Sequence, residues 1–177
     1  GDGLAPIQPG EVDAVVLAGM GGMLMVEILS ADLPKSRSIG KFVLQPRNHA
    51  EALRRFLALN GFSIAREVLV REGRHLCEII IASPNQTKPM TQDDDPNRWT
   101  DAGWPVSDIR WEVPPMYAES HDPLATEYLH RKLEREKRVM RDLHKAKTLD
   151  GARLQQQEVR IAYLKSLMKK RGVVDEI

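Results

Sequence analysis

A short apolar run that leads straight into glycines, residues 14–22 with the sequence AVVLAGMGG, constrains this chain more than any other stretch. An uninterrupted apolar run of this kind predicts a β-strand buried on both faces, as in a parallel sheet. The apolar segment at residues 23–29 is predicted to be a helix whose first N–H groups point into the space beside the glycines. In open α/β sheets, ligands bind beyond the carboxyl end of a strand. Residues 19–22 are therefore the first candidate site, with a tight strand-to-helix connection as the alternative interpretation.

The alternation of strand and helix continues after this turn, with a break predicted at residues 34–40 after the first helix. Lys41–Pro46 predicts a second strand, which ends at a proline that cannot donate to a ladder. Asn48 is expected to cap the next helix, with Glu51 completing a capping box. Residues 62–70 and 76–82 predict two strands joined by a tight turn, which must run antiparallel. The sequence therefore predicts an α/β fold with a mostly parallel sheet and one antiparallel strand near its edge.

Several reactive side chains in this part of the chain have structural interpretations. Glu72 and Glu78 flank the predicted turn and are expected to pair with the arginines of that turn. His49 is expected to be a polar residue at the start of a helix rather than a general base. The histidines lack the spacing of metal ligands, and Cys77 is the only cysteine. The sequence therefore predicts no metal site and no disulfide within the chain.

Residues 84–120 differ in composition from the sequence before them, with six prolines and three consecutive aspartates. This composition predicts a linker or a long insertion, mobile over residues 85–107. Its tryptophans, Trp99, Trp104 and Trp111, are expected to pin the linker to the domain body. Stacking of these rings on bases is the alternative.

Two long helices are predicted within residues 121–177, separated by Asp150-Gly151. Each helix carries an apolar stripe, which includes Val139 in the first helix and Val159 in the second. Two such helices joined by a short turn are typical of an antiparallel coiled-coil hairpin. The chain is thus predicted to divide into a partial sheet domain at 1–83, an acidic proline-rich segment at 84–120 and a helical hairpin at 121–177.

Positive charge is concentrated in the predicted hairpin. Residues 121–171 carry 14 Lys and Arg against 7 Asp and Glu, whereas residues 1–83 are balanced. This excess favours an arm that binds nucleic acid, with a merely solvated helix face as the alternative. No apolar run reaches the ~18 residues of a membrane span, and no signal peptide is visible, so a cytoplasmic location without membrane contact is predicted. The basic face of the first helix consists of Arg131, Lys132, Arg135, Lys137, Arg138, Arg141, Lys145 and Lys147.

An ordered set of motifs resembles the bacterial tRNA (adenine(22)-N(1))-methyltransferase family. The motifs are GDGL at 1–4, LAGMGG at 17–22, LQP at 44–46, Leu53-Arg54, Glu67, Arg71-Glu72 and Glu78-Ile79. The predicted helical hairpin is also similar to the C-terminal coiled coil of this family. The resemblance covers residues 1–83 well and residues 108–170 loosely, and the ordered set is far more specific than its glycine motif alone.

The resemblance implies a Rossmann-like domain of class I methyltransferases that depends on S-adenosyl-L-methionine and begins before Gly1. Residues 1–83 would then be the C-terminal half of its sheet, and such a fragment is expected to be inactive alone. No metal is implied. The residues implied in function are Asp2, Gly3, Ala18 and Gly19 for the cofactor, Gly19, Met20, Gly21, Gly22 and Gln45 for catalysis, and Arg47, Arg131, Arg135, Arg138 and Arg141 for tRNA.

The implied reaction is methylation of N1 of an adenine in tRNA. This sequence departs from the family at Arg47, where Asn is often found, and at Cys77, where Tyr is common. Two other functional classes stay open. One is a non-catalytic RNA-binding or protein-interaction module that presents the basic coiled coil, and the other is an unrelated small-molecule enzyme on a similar half-sheet or small α/β fold.

Overall fold

The computed structural model describes residues 3–85, 104–146 and 150–173, which form two compact units. The first unit spans Gly1–Trp111 and the second spans Glu112–Ile177. Most of the segment predicted to be mobile, and with it Trp99, lies outside the described residues. The predicted division of the chain into three parts stays a prediction.

The first unit is built from strands and helices in alternation. Their bounds are β1 Ala14–Met20, α1 Gly22–Ser30, α2 Leu33–Ser38, β2 Lys41–Pro46, α3 Ala50–Leu59, β3 Phe62–Glu72 and β4 His75–Pro84, followed by a short helix α4 at Ile109–Glu112. The four strands form one sheet in the order β1-β2-β4-β3. β1 and β2 are parallel, and β4 is antiparallel to both β2 and β3. The predicted sheet, with one reversed strand next to its edge, is therefore confirmed.

The two faces of this sheet differ in burial. Val15 pairs with Phe42, and both lie in the core, on the face to which α1 and α3 contribute buried Met25 and Leu53. On the other face Val16 is 67% exposed, and the apolar residues Val43, Val68, Ile79 and Ile81 are only half-buried. The prediction that β1 is buried on both faces is therefore wrong for this chain. The physical reason is that α1 and α3 contact each other and so lie on the same side of the sheet.

Two local predictions in this unit are also wrong. The stretch after α1, interpreted as a break, contains α2, because Asp32 caps it by accepting from the Lys35 N–H at 3.0 Å. A proline in the first turn starts such a helix rather than ending it. The next helix, α3, is preceded by His49 and not by Asn48 as its N-cap residue, and no side chain caps its first N–H groups.

The second unit contains a 3-10 helix at Pro115–Ala118 and two long helices, α5 Leu124–Lys145 and α6 Gly151–Lys170. Glu136 contacts Gln157 and Thr126 contacts Arg171, so the two helices run antiparallel. Residues 147–149 lie outside the described residues. A coiled-coil geometry for this pair stays a prediction.

The apolar seam of the two helices is shorter than predicted. Leu129 and Leu133 are buried on α5, with Leu164, Leu167 and Met168 buried on α6. Further along α5, the buried position is taken by Glu136, which meets the buried Gln157 of α6. Val139 and Val159, assigned to the stripes, are exposed. The prediction for these two valines is wrong because a polar layer replaces the apolar seam at this level.

Candidate functional site

The carboxyl end of β1 is a glycine bulge. Gly19 has a φ of +76°, a backbone conformation that favours glycine. The register of β1 against β2 shifts between Ala18 and Met20, so Gly19 has no partner residue in the ladder. Its N–H donates instead to Oε1 of Gln45 at 2.8 Å. Two of the predicted catalytic residues, on different strands, are thereby brought together.

Gly22, the first residue of α1, is locked against the loop that follows β2. Its N–H donates to the carbonyl of Asn48 at 2.9 Å. A Cβ atom at this position would lie 2.4 Å from the His49 carbonyl oxygen and 2.8 Å from that of Asn48, closer than real contacts allow. Gly21 differs, since its φ of −70° suits any residue and its Cβ would meet only the Asn48 side-chain oxygen at 2.9 Å. Gly22 is therefore required by the contact between the two loops.

The loop after β2 supplies the other wall of this rim. The N–H of Arg47 donates to the Met20 carbonyl at 2.9 Å. His49 has a φ of +51°, which is rare for a residue with a side chain, and its Nδ1 lies 3.0 Å from Oε1 of Glu51. We call the resulting surface the glycine rim. It consists of Ala18, Gly19, Met20, Gly21, Gly22, Gln45, Arg47, Asn48 and His49.

The other residues assigned to the cofactor lie apart from these contacts. Gly3 packs against Ile28 on the second turn of α1, where a Cβ would lie 3.0 Å from Cγ2 of that side chain. Gly3 also lines a cavity of about 380 Å³ that contains none of the predicted catalytic residues. Lys35 closes one side of the cavity by donating to the Leu4 and Ala5 carbonyls at 3.5 and 3.4 Å. Asp2 lies outside the described residues.

The structure contains a buried arginine cluster that the sequence did not predict. Arg54 donates from Nε and Nη2 to the two carboxylate oxygens of Glu67 at 2.8 and 2.7 Å. Its Nη2 also contacts Glu78, and its Nη1 donates to the Trp111 carbonyl at 2.9 Å. Glu78 therefore pairs with this arginine of α3, so the prediction that it pairs with an arginine of the turn is incomplete. The available signal was an arginine next to Leu53 on the apolar side of α3.

The arginines assigned to tRNA on α5 are exposed. Arg131, Arg135 and Arg138 recur at spacings of four and three residues, so they lie on one side of the helix. Arg131 pairs with Glu127 at 2.7 Å, and Arg135 is 65% exposed with Glu112 3.9 Å away. Arg141 is exposed one turn further on. This side of the helix, with Arg141, carries the arginines of the basic face, and all four are exposed to solvent.

A polar layer lies between α5 and α6 on the inner side of the hairpin. Glu136 accepts from Nε2 of Gln157 and from Nε of Arg160, both at 2.8 Å, and Arg160 also donates to Glu112 at 2.7 Å. Burial by itself raises the pKa of Glu136, but the hydrogen bonds from Arg160 and Gln157 outweigh burial and hold the pKa below 4.5. At Arg160, the hydrogen bonds to Glu136 and Glu112 likewise outweigh burial and raise the pKa of the guanidinium. We call these residues the polar layer.

Within residues 3–85, 104–146 and 150–173, no group of three or more His, Cys, Asp or Glu side chains could hold a metal ion. No helix in these ranges is both long and apolar enough to cross a membrane.

Comparisons with known proteins relate this chain to methyltransferases. A family model described as tRNA (adenine(22)-N(1))-methyltransferase matches residues 1–166. The tRNA (adenine(22)-N(1))-methyltransferase of Bacillus subtilis (strain 168) is 38% identical over 82 residues, which are 46% of this chain and 34% of that protein. The chain thus matches about a third of that relative's length.

Solved structures are similar over nearly the whole chain. The crystal structure of the Bacillus subtilis m1A22 tRNA methyltransferase has a TM-score of 0.72 and 26% identity, covering 95% of this chain and 68% of that one. A putative tRNA (m1A22) methyltransferase of Streptococcus pneumoniae, in complex with S-adenosyl-L-methionine, has a TM-score of 0.68 and 22% identity, covering 95% and 66%. These likenesses show an α/β Rossmann-like methyltransferase fold with a mixed sheet and helices.

Proposed function

Because this chain belongs to the tRNA (adenine(22)-N(1))-methyltransferase family, we propose that its protein transfers a methyl group from S-adenosyl-L-methionine to N1 of an adenine in tRNA. The observation that carries the proposal is the glycine rim at the carboxyl ends of β1 and β2. Such an edge is where open α/β sheets bind ligands. We place the protein in the cytoplasm, in contact with tRNA.

The glycine rim fits a cofactor that must come close to the backbone. A Cβ at Gly19 would meet only the Arg47 guanidinium, at 3.8 Å or more, so one side of this residue is open. Ala18 and Gly19 would hold the cofactor at this edge, together with Asp2 and Gly3 by the family resemblance. When bound, S-adenosyl-L-methionine supplies an electrophilic methyl group on sulfur.

The residues of this chain would chiefly position the base. N1 lies on the pairing edge of adenine, so a paired or stacked base must be extruded before the methyl group can reach it. The nitrogen is itself the nucleophile, and the gain comes from holding it in line with the methyl group. The loop Gly19–Gly22 and Gln45 would hold the base, while Arg47, with no described side chain bonded to its guanidinium, would bind an adjacent phosphate.

We also propose that β1–β4 are the C-terminal half of a larger Rossmann-like sheet. The half-buried apolar side chains of the second face, and Val16 at 67% exposure, are what a sheet covered on both sides presents when one layer is missing. β1 is the edge strand, so further strands would pair beside it. The solved relatives are longer than this chain by about a third of their own length, which is enough for such a layer.

The helical hairpin would be the RNA-binding arm. The basic face on α5 offers four arginines with their guanidinium groups in solvent, and the polar layer holds α6 against the opposite side of that helix. We propose that Arg131, Arg135, Arg138 and Arg141 neutralise tRNA phosphates. A coiled-coil geometry of α5 and α6 would keep this row of charges straight.

Methyl transfer from labelled S-adenosyl-L-methionine to unmodified tRNA tests the function in the whole protein. We expect transfer by the wild type and none by Gly21→Val, whose added methyl groups displace Asn48 at the rim, while tRNA affinity changes only a few-fold. Gly151→Val is the matched control, since nothing lies within 4 Å of a Cβ there. An active Gly21→Val protein would return the loop to a structural role, and tRNA binding without any transfer by the wild type would favour the non-catalytic module.

Cofactor binding to residues 1–177, measured by calorimetry, tests the half-sheet proposal. This chain is expected to bind S-adenosyl-L-methionine weakly or not at all, because half of the cofactor site would come from the proposed additional strands. Calorimetry that gave micromolar affinity for this chain would contradict the half-sheet proposal, and the function would then rest on these residues alone.

A further inference from the structure

The Arg47 side chain lies over Gly19 at the glycine rim. We propose that Arg47 couples the binding of cofactor and tRNA. Without tRNA its guanidinium covers Gly19 and repels the positively charged sulfur of S-adenosyl-L-methionine, and a tRNA phosphate draws it away. The inference rests on the proposed function. It gives the arginine that binds a phosphate a second position, in which it controls the affinity for the cofactor.

The position of the Arg47 guanidinium is defined by its distance from Gly19. Nη2 and Nε of Arg47 lie 3.8 and 3.9 Å from the point that a Cβ atom of Gly19 would occupy. Apart from the chain neighbours of Gly19, no other atom of the described residues comes within 4 Å of that point. The backbone of Arg47 is held in place, because its N–H donates to the Met20 carbonyl at 2.9 Å. The charged group therefore covers the face of Gly19 that lacks a side chain.

This contact does not depend on where the described sheet ends. β1 and β2 pair directly, with Ala18 opposite Gln45, and Gly19 and Arg47 lie at the carboxyl ends of these two strands. No strand can enter between them, and strands added beside β1 would lie at its other edge. The contact between Arg47 and Gly19 is therefore expected to persist in the whole protein.

The charge of Arg47 is not neutralised by its surroundings. Arg47 is exposed, and its guanidinium bonds to no carboxylate of the described residues. The carboxylate of Glu51, four residues further on, contacts His49 at 3.0 Å. A guanidinium keeps its proton at any physiological pH. Its positive charge therefore acts on any ligand that binds beside Gly19.

The two proposed ligands of the rim respond to this charge in opposite ways. Because Ala18 and Gly19 would hold the cofactor, its positively charged sulfur would come to the same strand end as the guanidinium, and like charges repel. A phosphate instead attracts the guanidinium and accepts two parallel hydrogen bonds from it. Both ligands therefore favour the position of Arg47 away from Gly19. Two ligands that favour the same state bind cooperatively, and each raises the affinity for the other by the same factor.

Titration of the whole protein with S-adenosyl-L-methionine and with S-adenosyl-homocysteine tests the effect of charge, because the second compound has a neutral sulfur. Saturating tRNA should raise the wild-type affinity for S-adenosyl-L-methionine about tenfold and change the affinity for S-adenosyl-homocysteine less than about twofold. Without tRNA, Arg47→Gln should bind S-adenosyl-L-methionine about tenfold more tightly than the wild type does. Adding tRNA should raise that affinity no further.

Two matched variants control for charge. Arg47→Lys keeps a positive charge at the rim, so its affinity for S-adenosyl-L-methionine without tRNA should stay close to that of the wild type. Arg66→Gln removes an equally exposed charge from β3, at the opposite end of the sheet, and should change neither affinity. Equal affinity of the wild type and Arg47→Gln for S-adenosyl-L-methionine without tRNA would overturn the inference. A gain in Arg47→Gln that is equally large for S-adenosyl-homocysteine would also overturn it, since a neutral sulfur is not repelled.

Binding of tRNA supplies the reciprocal measurement. S-adenosyl-L-methionine should raise the tRNA affinity of the wild type by the same factor of about ten and should have no such effect in Arg47→Gln. The slope of log tRNA affinity against log salt should be flatter in Arg47→Gln by about one unit, for one lost phosphate. An unchanged slope would show that Arg47 binds no phosphate, and an unchanged factor would show that the coupling passes through other residues. Either result would contradict the inference.

Residues 1–177 provide a readout that does not require activity. Inorganic phosphate should move the NMR signal of the Gly19 amide in the wild type and leave it in place in Arg47→Gln. Identical Gly19 signals in the two proteins, before and after phosphate is added, would show that the guanidinium does not cover Gly19 and would overturn the inference. Absence of methyl transfer to tRNA by the wild type would refute the proposed function, whereas the Gly19 signal would still report on the contact with Arg47.

Discussion

Each of the two units contains an arginine bound by two glutamates, but the two arginines differ in burial. The Arg54 side chain is fully buried, and it bonds to Glu67, Glu78 and a backbone carbonyl beneath the sheet. The Arg160 side chain keeps 15% of its surface exposed, and it bonds to Glu136 and Glu112 between two helices. Water can replace part of what Arg160 provides and almost none of what Arg54 provides.

The glycine rim and the basic face also differ in how enclosed their atoms are. At Gly22 of the rim, backbone atoms of two loops touch, and an added Cβ would overlap two carbonyl oxygens. On the basic face, each arginine is exposed and can be replaced without moving its neighbours. The first unit therefore depends on exact placement of atoms, whereas the second depends on how many charges it carries. Substitutions in the two units should therefore differ in their effect on the free energy of unfolding.

Arg54→Met should have the largest effect. It leaves the buried Glu67 and the partly buried Glu78 without the cation that both contact, and breaking such a pair costs about 3–5 kcal/mol. Denaturant unfolding followed by tryptophan fluorescence measures it, because the two tryptophans of the described residues, Trp104 and Trp111, lie in the first unit. Arg160→Met, followed by tyrosine fluorescence since all three tyrosines lie in the second unit, should cost only about 1–2 kcal/mol.

Arg55→Met is the control for Arg54→Met. Arg55 is the next residue of α3 but is half-exposed, and its bond to the Val106 carbonyl is long at 3.4 Å. Its loss should change the unfolding free energy by less than about 1 kcal/mol. Equal costs for the two arginines of α3, or for Arg54 and Arg160, would break the contrast between enclosed and partly solvated clusters.

Gly22→Ala should have the next largest effect. The new Cβ would overlap the His49 and Asn48 carbonyls, and forcing loops apart in this way costs roughly 2–3 kcal/mol. Gly21→Ala is the matched control, because only the end of the Asn48 side chain must move, and it should cost less than about 1 kcal/mol. Thermal unfolding of both proteins gives the comparison, and a Gly22→Ala protein as stable as Gly21→Ala would show that the two loops are not locked together.

Acid should weaken the second unit through Glu136. Its pKa is lower in the folded protein than its usual 4.5, so its stabilising effect is complete above that value and is lost as the pH falls through the lowered pKa. Helix unfolding measured by circular dichroism from about pH 7 to about pH 3 should show this loss. Glu136→Gln should be less stable than the wild type at neutral pH and should approach it in acid. A difference that stays constant with pH would show that the carboxylate charge contributes nothing to the polar layer.

The presence of four strands and their relative directions could be predicted from the sequence because they depend on local signals. Their order in the sheet, with β4 between β2 and β3, was not predicted. The apolar runs, the glycines at 19–22 and the turn before His75 set the lengths and directions of the strands without knowledge of distant contacts. Gly19 could be singled out for the same reason, since it follows an apolar run, whereas Gln45 was indicated only by the family resemblance.

The parts that escaped prediction depend on residues far apart in sequence or on backbone angles. Arg54 meets carboxylates 13 and 24 residues away, so nothing near it in the sequence announces its partners. His49 replaces Asn48 before α3 because the loop must adopt a left-handed angle to bring its carbonyls against Gly22. The exposure of Val16 could not be predicted. An apolar strand shows which side chains can be buried, but not whether other elements cover both faces of the sheet.

Substitutions on the basic face should have the smallest effect on folding stability. Their effect on tRNA binding should instead be large. Replacing Arg131, Arg135, Arg138 and Arg141 by Gln should change the unfolding free energy by less than about 0.5 kcal/mol, since exposed charges contribute little. If these arginines neutralise tRNA phosphates, each releases counterions on binding, with a slope of log affinity against log salt of about −0.9 per phosphate on a double helix. Losing four contacts should therefore flatten the slope by roughly three to four units. Arg138→Gln alone should flatten it by about one unit. Identical slopes for the wild type and the fourfold variant would show that this side of α5 is only solvated, and the tRNA contacts would have to lie elsewhere in the protein.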